Sequence, residues 1–216
     1  DLFIKRHQKI LWRASKRTAA ACLVLVLGCL AAISSLTELR EGVNSLLMVY
    51  LPYFVFIMYA VNRGSGFTRA LFMNCDHSLL TYSFYKQPKH ILKLFQIRLR
   101  EIIKINLLPA IVVGGGLSLL LYASGGTENP LNYAVIFISI LSLSVFFSVH
   151  YLTIYYLLQP YNAGTEMKSG AYQLVSSGTY FICFVMMQLK IPTLLFGGLT
   201  IAFCVAYCVV ASILVY

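Results

Sequence analysis

The sequence predicts an all-α polytopic membrane protein. It has six transmembrane helices, an N-terminal amphipathic connecting helix and a cytoplasmic coupling helix between spans two and three. Three observations predict it. Of 216 residues, 59% are hydrophobic and 11% charged, with a mean hydropathy of +0.79, whereas soluble domains run at about 45–50% and about 25%. Six stretches, 18–36, 44–62, 105–123, 133–158, 171–189 and 192–216, contain no Lys, Arg, Asp or Glu. Each is close to or longer than the roughly 20 residues that cross a hydrocarbon core. The cations lie almost entirely in alternate connections. This composition excludes disorder, a basic soluble nucleic-acid-binding domain and a small disulfide scaffold. The chain reads as one transmembrane domain, 1–216.

Residues 1–17 precede the first span. On a wheel at about 100° per residue, Lys5, Arg6, Lys9, Arg13, Lys16 and Arg17 share one arc of 3–17. Phe3, Ile4, Ile10, Leu11 and Ala14 lie opposite, with Trp12 at the border. Such a helix is expected in the inner interface plane, as a lipid anchor or also as a contact for a cytoplasmic partner. The first span is not read as a removable signal peptide, because no small-residue cleavage site follows it.

The cations orient the bundle. Six precede span one, eight lie between spans two and three, and Lys168 lies between spans four and five; only Arg40 and Lys190 fall on the other side. Positive residues stay cytoplasmic, so both termini are expected inside. The net charge of +10 then reflects this asymmetry and attraction to anionic lipid, not nucleic acid.

The connection 63–104 dwarfs every other. Arg63-Gly64-Ser65-Gly66 reads as a flexible exit from span two. After Pro88, Ile91, Leu92, Phe95, Leu99, Ile102 and Ile103 share an arc opposite Lys89, Lys93, Gln96, Arg100, Glu101 and Lys104. That amphipathic helix is expected to run straight into span three. Before Pro88, Asn74 or Asp76 can cap a short helix that presents Leu79, Leu80, Phe84 and Tyr85. A protein partner covering that apolar surface is one reading, burial against the chain's own inner surface the other.

The spans carry little chemistry. No G-x-x-x-x-G-K-[ST], H-E-x-x-H or G-x-S-x-G occurs, so the chain binds no nucleotide phosphates alone and reads as no enzyme. Gly114-Gly115-Gly116 permits close helix packing or bending. Pro52 and Pro109 interrupt spans two and three, as packing kinks or hinges. His150 is the strongly titratable side chain of the spans, read as a helix–helix hydrogen-bond partner rather than a proton relay. Tyr53, Ser144, Ser148, His150 and Tyr155 are candidates for lining a path. Cys204 and Cys208 read as packing residues, and no metal site is expected.

The order of elements, with Leu71-Phe72-Met73-Asn74-Cys75-Asp76-His77-Ser78-Leu79-Leu80 followed by Tyr82, Phe84-Tyr85-Lys86 and Pro88, resembles a type-2 ABC exporter permease subunit. Among these it is most similar to Gram-positive exporters of amphipathic cytolytic peptides of the phenol-soluble-modulin type. The resemblance implies a six-span permease in the bacterial plasma membrane. A second copy, identical or sister, would complete a dimer over two ABC ATPase subunits. ATP and Mg belong to the partner chains, and this chain carries no cofactor. It further implies ATPase coupling through Asn74, Asp76, His77, Leu79, Leu80, Phe84 and Tyr85, with residues 74–85 in a groove of the ATPase. A non-transporting membrane scaffold or immunity protein is the alternative.

Overall fold

The computed structural model describes residues 2–76, 87–162 and 165–215, with the backbone alone at 2–5, 8, 88, 161–162 and 165–168. Described residues form eight α-helices, a π-helical turn and one short hairpin. In order these are α1 (Leu2–Ser35), α2 (Glu38–Val49), α3 (Tyr53–Val61), α4 (Gly64–Leu71), the π turn Phe72–Asp76, α5 (Pro88–Ala123), α6 (Leu131–Leu158), the hairpin Tyr161–Asn162 with Thr165–Lys168, α7 (Gly170–Met186) and α8 (Thr193–Val215). Among the described residues, four helices are long and apolar enough to cross a membrane: α1 from Lys9, α5 from Lys89, α6 and α8.

Helices α5 and α6 form the centre. They pack on each other, α1 packs on α5, and α8 packs on α6. Their apolar windows are more than half buried, whereas those of α1 and α8 are mostly exposed, as expected of peripheral helices that face acyl chains. Leu121, Ile136, Ile140 and Phe147 of this pair are fully buried in the core of the bundle. Glycine sets two of the contacts. A Cβ on Gly116 would lie 2.5 Å from Val26 Cγ2, and one on Gly197 would run into Val135 Cγ1. Within the glycine run of the third expected span, Gly116 therefore serves close packing of α1 on α5, while Gly114 lies against Phe137 and Ile140 of α6.

Helix α1 differs from the expected pair of an in-plane helix and a span. The basic segment and the apolar segment are one helix, about 51 Å long at 1.5 Å per residue. Ser15 is fully buried against α5, and Leu11 packs on the cluster of Phe67, Leu71, Phe95, Ile102 and Leu152. Part of the apolar stripe thus faces protein, while Ile10 stays 65% exposed.

The expected span 44–62 is not one helix. It breaks at Tyr50–Pro52, because Pro52 has no N–H to continue the ladder. Tyr53 N–H and Phe54 N–H close tighter turns on the carbonyls of Tyr50 and Leu51. The α7–α8 connection and the first residue of α8 supply partners to the carbonyls this leaves open. Ile191 N–H donates to Val49 O at 2.9 Å, and Thr193 Oγ1 donates to Leu47 O at 2.6 Å.

Pro109 leaves α5 unbroken, and neighbours again serve the backbone. Ser15 Oγ donates to Ile105 O at 2.5 Å, the carbonyl to which residue 109 would normally donate. Ser144 Oγ donates to Asn106 O at 3.1 Å. As expected, the amphipathic segment after Pro88 runs into this helix without interruption. The fifth expected span, 171–189, appears as the 17-residue α7, about 26 Å long. Its N-cap Ser169 accepts from Tyr172 N–H at 3.4 Å.

The exit from α3 is a helix and not a flexible segment. Asn62 Oδ1 accepts from Gly64 N–H at 2.7 Å, and Asn106 Oδ1 from Arg63 N–H at 2.9 Å, so the first donors of α4 are held. A Cβ on Gly64 would sit 2.6 Å from Tyr151 Cβ. Glycine is there for contact with α6, not for freedom.

Candidate functional site

Two places concentrate polar chemistry inside this apolar bundle. One lies at the basic end, where α4, the π turn, the start of α5 and the end of α6 meet over the Phe67–Leu71–Phe95–Ile102 cluster. The other is a recess between α3, α6, α7 and α8.

At the basic end the Arg98 guanidinium is 2% exposed. Arg98 Nη1 donates to Asp76 Oδ2 at 2.8 Å and to Tyr156 OH at 2.7 Å, and Nη2 donates to Asp76 Oδ1 at 2.5 Å. Tyr155 OH donates to Asp76 Oδ2 at 2.6 Å. The planar guanidinium fork and the carboxylate thus face each other edge to edge, the geometry that suits arginine at a buried ion pair. The arrangement ties the last described residue before 77–86 to α5 and α6. Burial, and next the Asp76 charge, push the neighbouring Cys75 thiol up. Asn74 is exposed and donates to Ala70 O at 2.9 Å. His77, Leu79, Leu80, Phe84 and Tyr85 lie outside the described residues.

A second network joins three helices, α1, α5 and α6, with Arg63 at the N-cap of α4. Asn106 Nδ2 donates to Ser148 Oγ at 3.0 Å, and Ser148 Oγ donates to Ser144 O at 2.7 Å. Arg63 reaches across to Thr18 Oγ1 with Nε at 3.1 Å. Ser144 and Ser148, candidate path residues, are therefore buried inside the α5–α6 contact with their hydroxyls engaged. Tyr155 belongs to the basic-end anchor. Tyr53, 37% exposed, begins α3 and does not line the recess.

His150 does line it. The recess has a volume of about 400 Å³, within the range of about 300–1,000 Å³ typical of ligand pockets. Val55, Leu143, Cys183 and Phe196 form buried parts of its wall. Ile182, Leu199 and Phe203 are 59%, 57% and 57% exposed and stand at its mouth. No Asp, Glu, Lys or Arg is among its lining residues.

The ring of His150 stacks on Phe146 and ties three helices together. Nδ1 lies 2.8 Å from Tyr207 OH and Nε2 3.0 Å from Thr179 Oγ1. Thr179 directs its single proton to Val175 O at 2.8 Å. It can only accept from the ring, so Nε2 carries the hydrogen and a neutral ring accepts from Tyr207 at Nδ1. The chain Tyr207–His150–Thr179–Val175 is closed from end to end. This matches a helix–helix hydrogen-bond partner, the role expected of this histidine from its place in the sequence.

At the far end of the recess, Ile191 also patches the break between α2 and α3. Beside it the Lys190 ammonium lies 5.4 Å from the Tyr50 ring centroid, and its hydrogen bond to Tyr50 raises it above the usual lysine range. Among the described residues no three His, Cys, Asp or Glu side chains group as metal ligands. Arg98, Tyr156, Thr179 and Tyr207 complete the two sites and were not singled out by sequence reasoning. No family model, curated protein or solved structure matches the chain.

Proposed function

We propose that the chain is the permease subunit of an ATP-driven exporter of amphipathic substrates, working as a dimer over two ABC ATPase subunits. In this reading the α2–α3 pair and α7 complete six crossings of a bacterial plasma membrane. The basic end is cytoplasmic, and ATP and Mg act in the partner chains. The substrate is an amphipathic peptide. Residues 74–85 dock in the ATPase groove.

The observation that carries the reading is the Asp76–Arg98–Tyr155 anchor. A push on the segment that follows Asp76 reaches α5 and α6 through a buried, bidentate pair and not through a loose tether. Helix α6 is also a wall of the apolar recess. Force at the basic end and shape of the recess then share one rigid element. The broken α2–α3 helix adds support, because irregular backbone at membrane depth is tolerated where protein or a cavity covers it.

The test is co-expression with candidate ABC ATPases from the same genome, followed by co-purification and ATPase assay. The expected result is a stable complex whose ATP hydrolysis is stimulated by an amphipathic peptide. Leu80→Asp should abolish that stimulation while leaving membrane insertion intact. A Leu80→Asp variant that still co-purifies and is still stimulated would overturn the docking assignment. Failure of every ATPase to associate would favour the non-transporting scaffold.

A further inference from the structure

We infer that the recess between α3, α6, α7 and α8 is a binding site for one uncharged hydrocarbon chain that enters from the bilayer side. Three features select this occupant. The lining lacks any charged side chain, so an ionic group inside would have no counter-charge in a medium of low dielectric. Thr200 aside, the polar side chains that line the recess, His150, Thr179 and Tyr207, already satisfy one another. A ligand carrying no hydrogen-bond donors or acceptors therefore leaves the His150 network intact as it fills the space. The mouth at Ile182, Leu199 and Phe203 is continuous with the exposed apolar faces of α7 and α8, where acyl chains lie alongside a membrane-spanning bundle.

The recess is more than a furrow between lipid-facing helices. Its wall includes Cys183, Leu143 and Phe196, 3%, 6% and 7% exposed, which belong to the bundle interior. A chain seated there would touch α3, α6, α7 and α8 together. The occupant is defined by its alkyl chemistry, which a free single-chain amphiphile and a bilayer phospholipid share. This assignment stands whether or not the chain is an exporter subunit.

The test uses the purified full chain and two photoreactive probes. One is a diazirine-bearing fatty alcohol added in detergent. The other is a phospholipid with the same diazirine in one acyl chain, incorporated in nanodiscs. Adducts are mapped by mass spectrometry. They are expected on Leu143–His150, Ile182–Met186 and Phe196–Phe203, and unlabelled fatty alcohol should compete them away. Thr200→Phe fills the recess and should lower that labelling about tenfold. Cys183→Phe fills it from another wall if the first variant does not fold, with gel filtration and helicity as the check. Labelling by the alcohol identifies a free amphiphile as the source. Labelling by the phospholipid alone identifies the bilayer, and either supports the site. Adducts no denser here than on the exposed Leu23–Leu27 face of α1, and unchanged in both filled variants, would overturn it.

Discussion

Ser15 of α1 donates its hydroxyl to the carbonyl of Ile105 in α5, 90 residues away, at 2.5 Å. That carbonyl is the one Pro109 leaves without its helical donor. A proline in a spanning helix is thus compensated by a hydroxyl from the helix that packs on it, which is how membrane proteins accommodate such breaks. Ser15→Ala should cost about 1–3 kcal/mol, the penalty for a buried acceptor left unmade. In a Pro109→Ala background the same change should cost clearly less, since alanine at that position brings back a backbone N–H. Unfolding of the four proteins in mixed micelles gives the double-mutant cycle. Equal costs in both backgrounds would show that Ser15 does not serve the proline.

Arg98 and Asp76 make a second compensated pair, and breaking it from one side should hurt most. Asp76→Leu leaves a buried guanidinium without its counter-charge and should cost about 3–5 kcal/mol. The double variant Asp76→Leu/Arg98→Met removes both charges and should recover much of that loss. Hydrogen exchange at Phe72–Asp76 reports the same event locally, because the π turn would lose its ties to α5 and α6. A double variant as unstable as the single one would argue against the ion pair as the anchor.

Much of this was legible in the sequence, and the parts that were not have identifiable causes. The apolar windows and the proline at 88 fix α5 and α6 well, because long runs without charge leave helices little alternative in lipid. The break at Tyr50–Pro52 was visible only as a proline. That it splits the helix depends on Ile191 and Thr193, which pairwise sequence reading cannot place opposite Val49 and Leu47. Arg98 left a signal that composition hides: on the helical wheel it falls between Ile91 and Ile105, among apolar neighbours. A charge there needs a buried partner. Ser144 and Ser148 carry an ambiguous mark, since hydroxyls spaced at i, i+4 line a path and lock a helix pair with the same pattern. Thr179 and Tyr207 carry no local mark at all, because only the packing of α7 and α8 on α6 brings them to His150.

Gly197 and Gly198 offer a matched test of the α6–α8 contact. A methyl at 197 meets Val135, whose branched side chain is stiff at χ1, and Ser139 Oγ at 2.8 Å. A methyl at 198 meets nothing within 4 Å. Gly197→Ala should destabilise by about 1–3 kcal/mol through overpacking. Gly198→Ala should be neutral, or stabilising by up to about 1 kcal/mol from helix propensity. Thermal unfolding of the two variants side by side measures the difference. Indistinguishable behaviour would mean that α8 does not approach α6 this closely.

The closed hydrogen-bond chain through His150 makes a prediction about a single proton. Thr179 donates to its own helix, so the imidazole must donate to Thr179 from Nε2 and accept from Tyr207 at Nδ1. Nitrogen-15 spectra of histidine-labelled protein should therefore show one pyrrole-like and one pyridine-like nitrogen, with the hydrogen on Nε2. Removing either neighbour has an opposite consequence for the ring. Thr179→Val strands a donor, while Tyr207→Phe strands an acceptor, and each should cost about 1–3 kcal/mol. The two variants also differ spectroscopically. Tyr207→Phe frees Nδ1 and lets the hydrogen move between nitrogens, so the tautomer preference should weaken. Thr179→Val leaves Tyr207 donating to Nδ1, so the hydrogen should stay on Nε2 although it has lost its acceptor. A wild-type spectrum with the hydrogen on Nδ1 would overturn this assignment, because Tyr207 would then be the acceptor and Thr179 would have to turn its proton from Val175 O to Nε2.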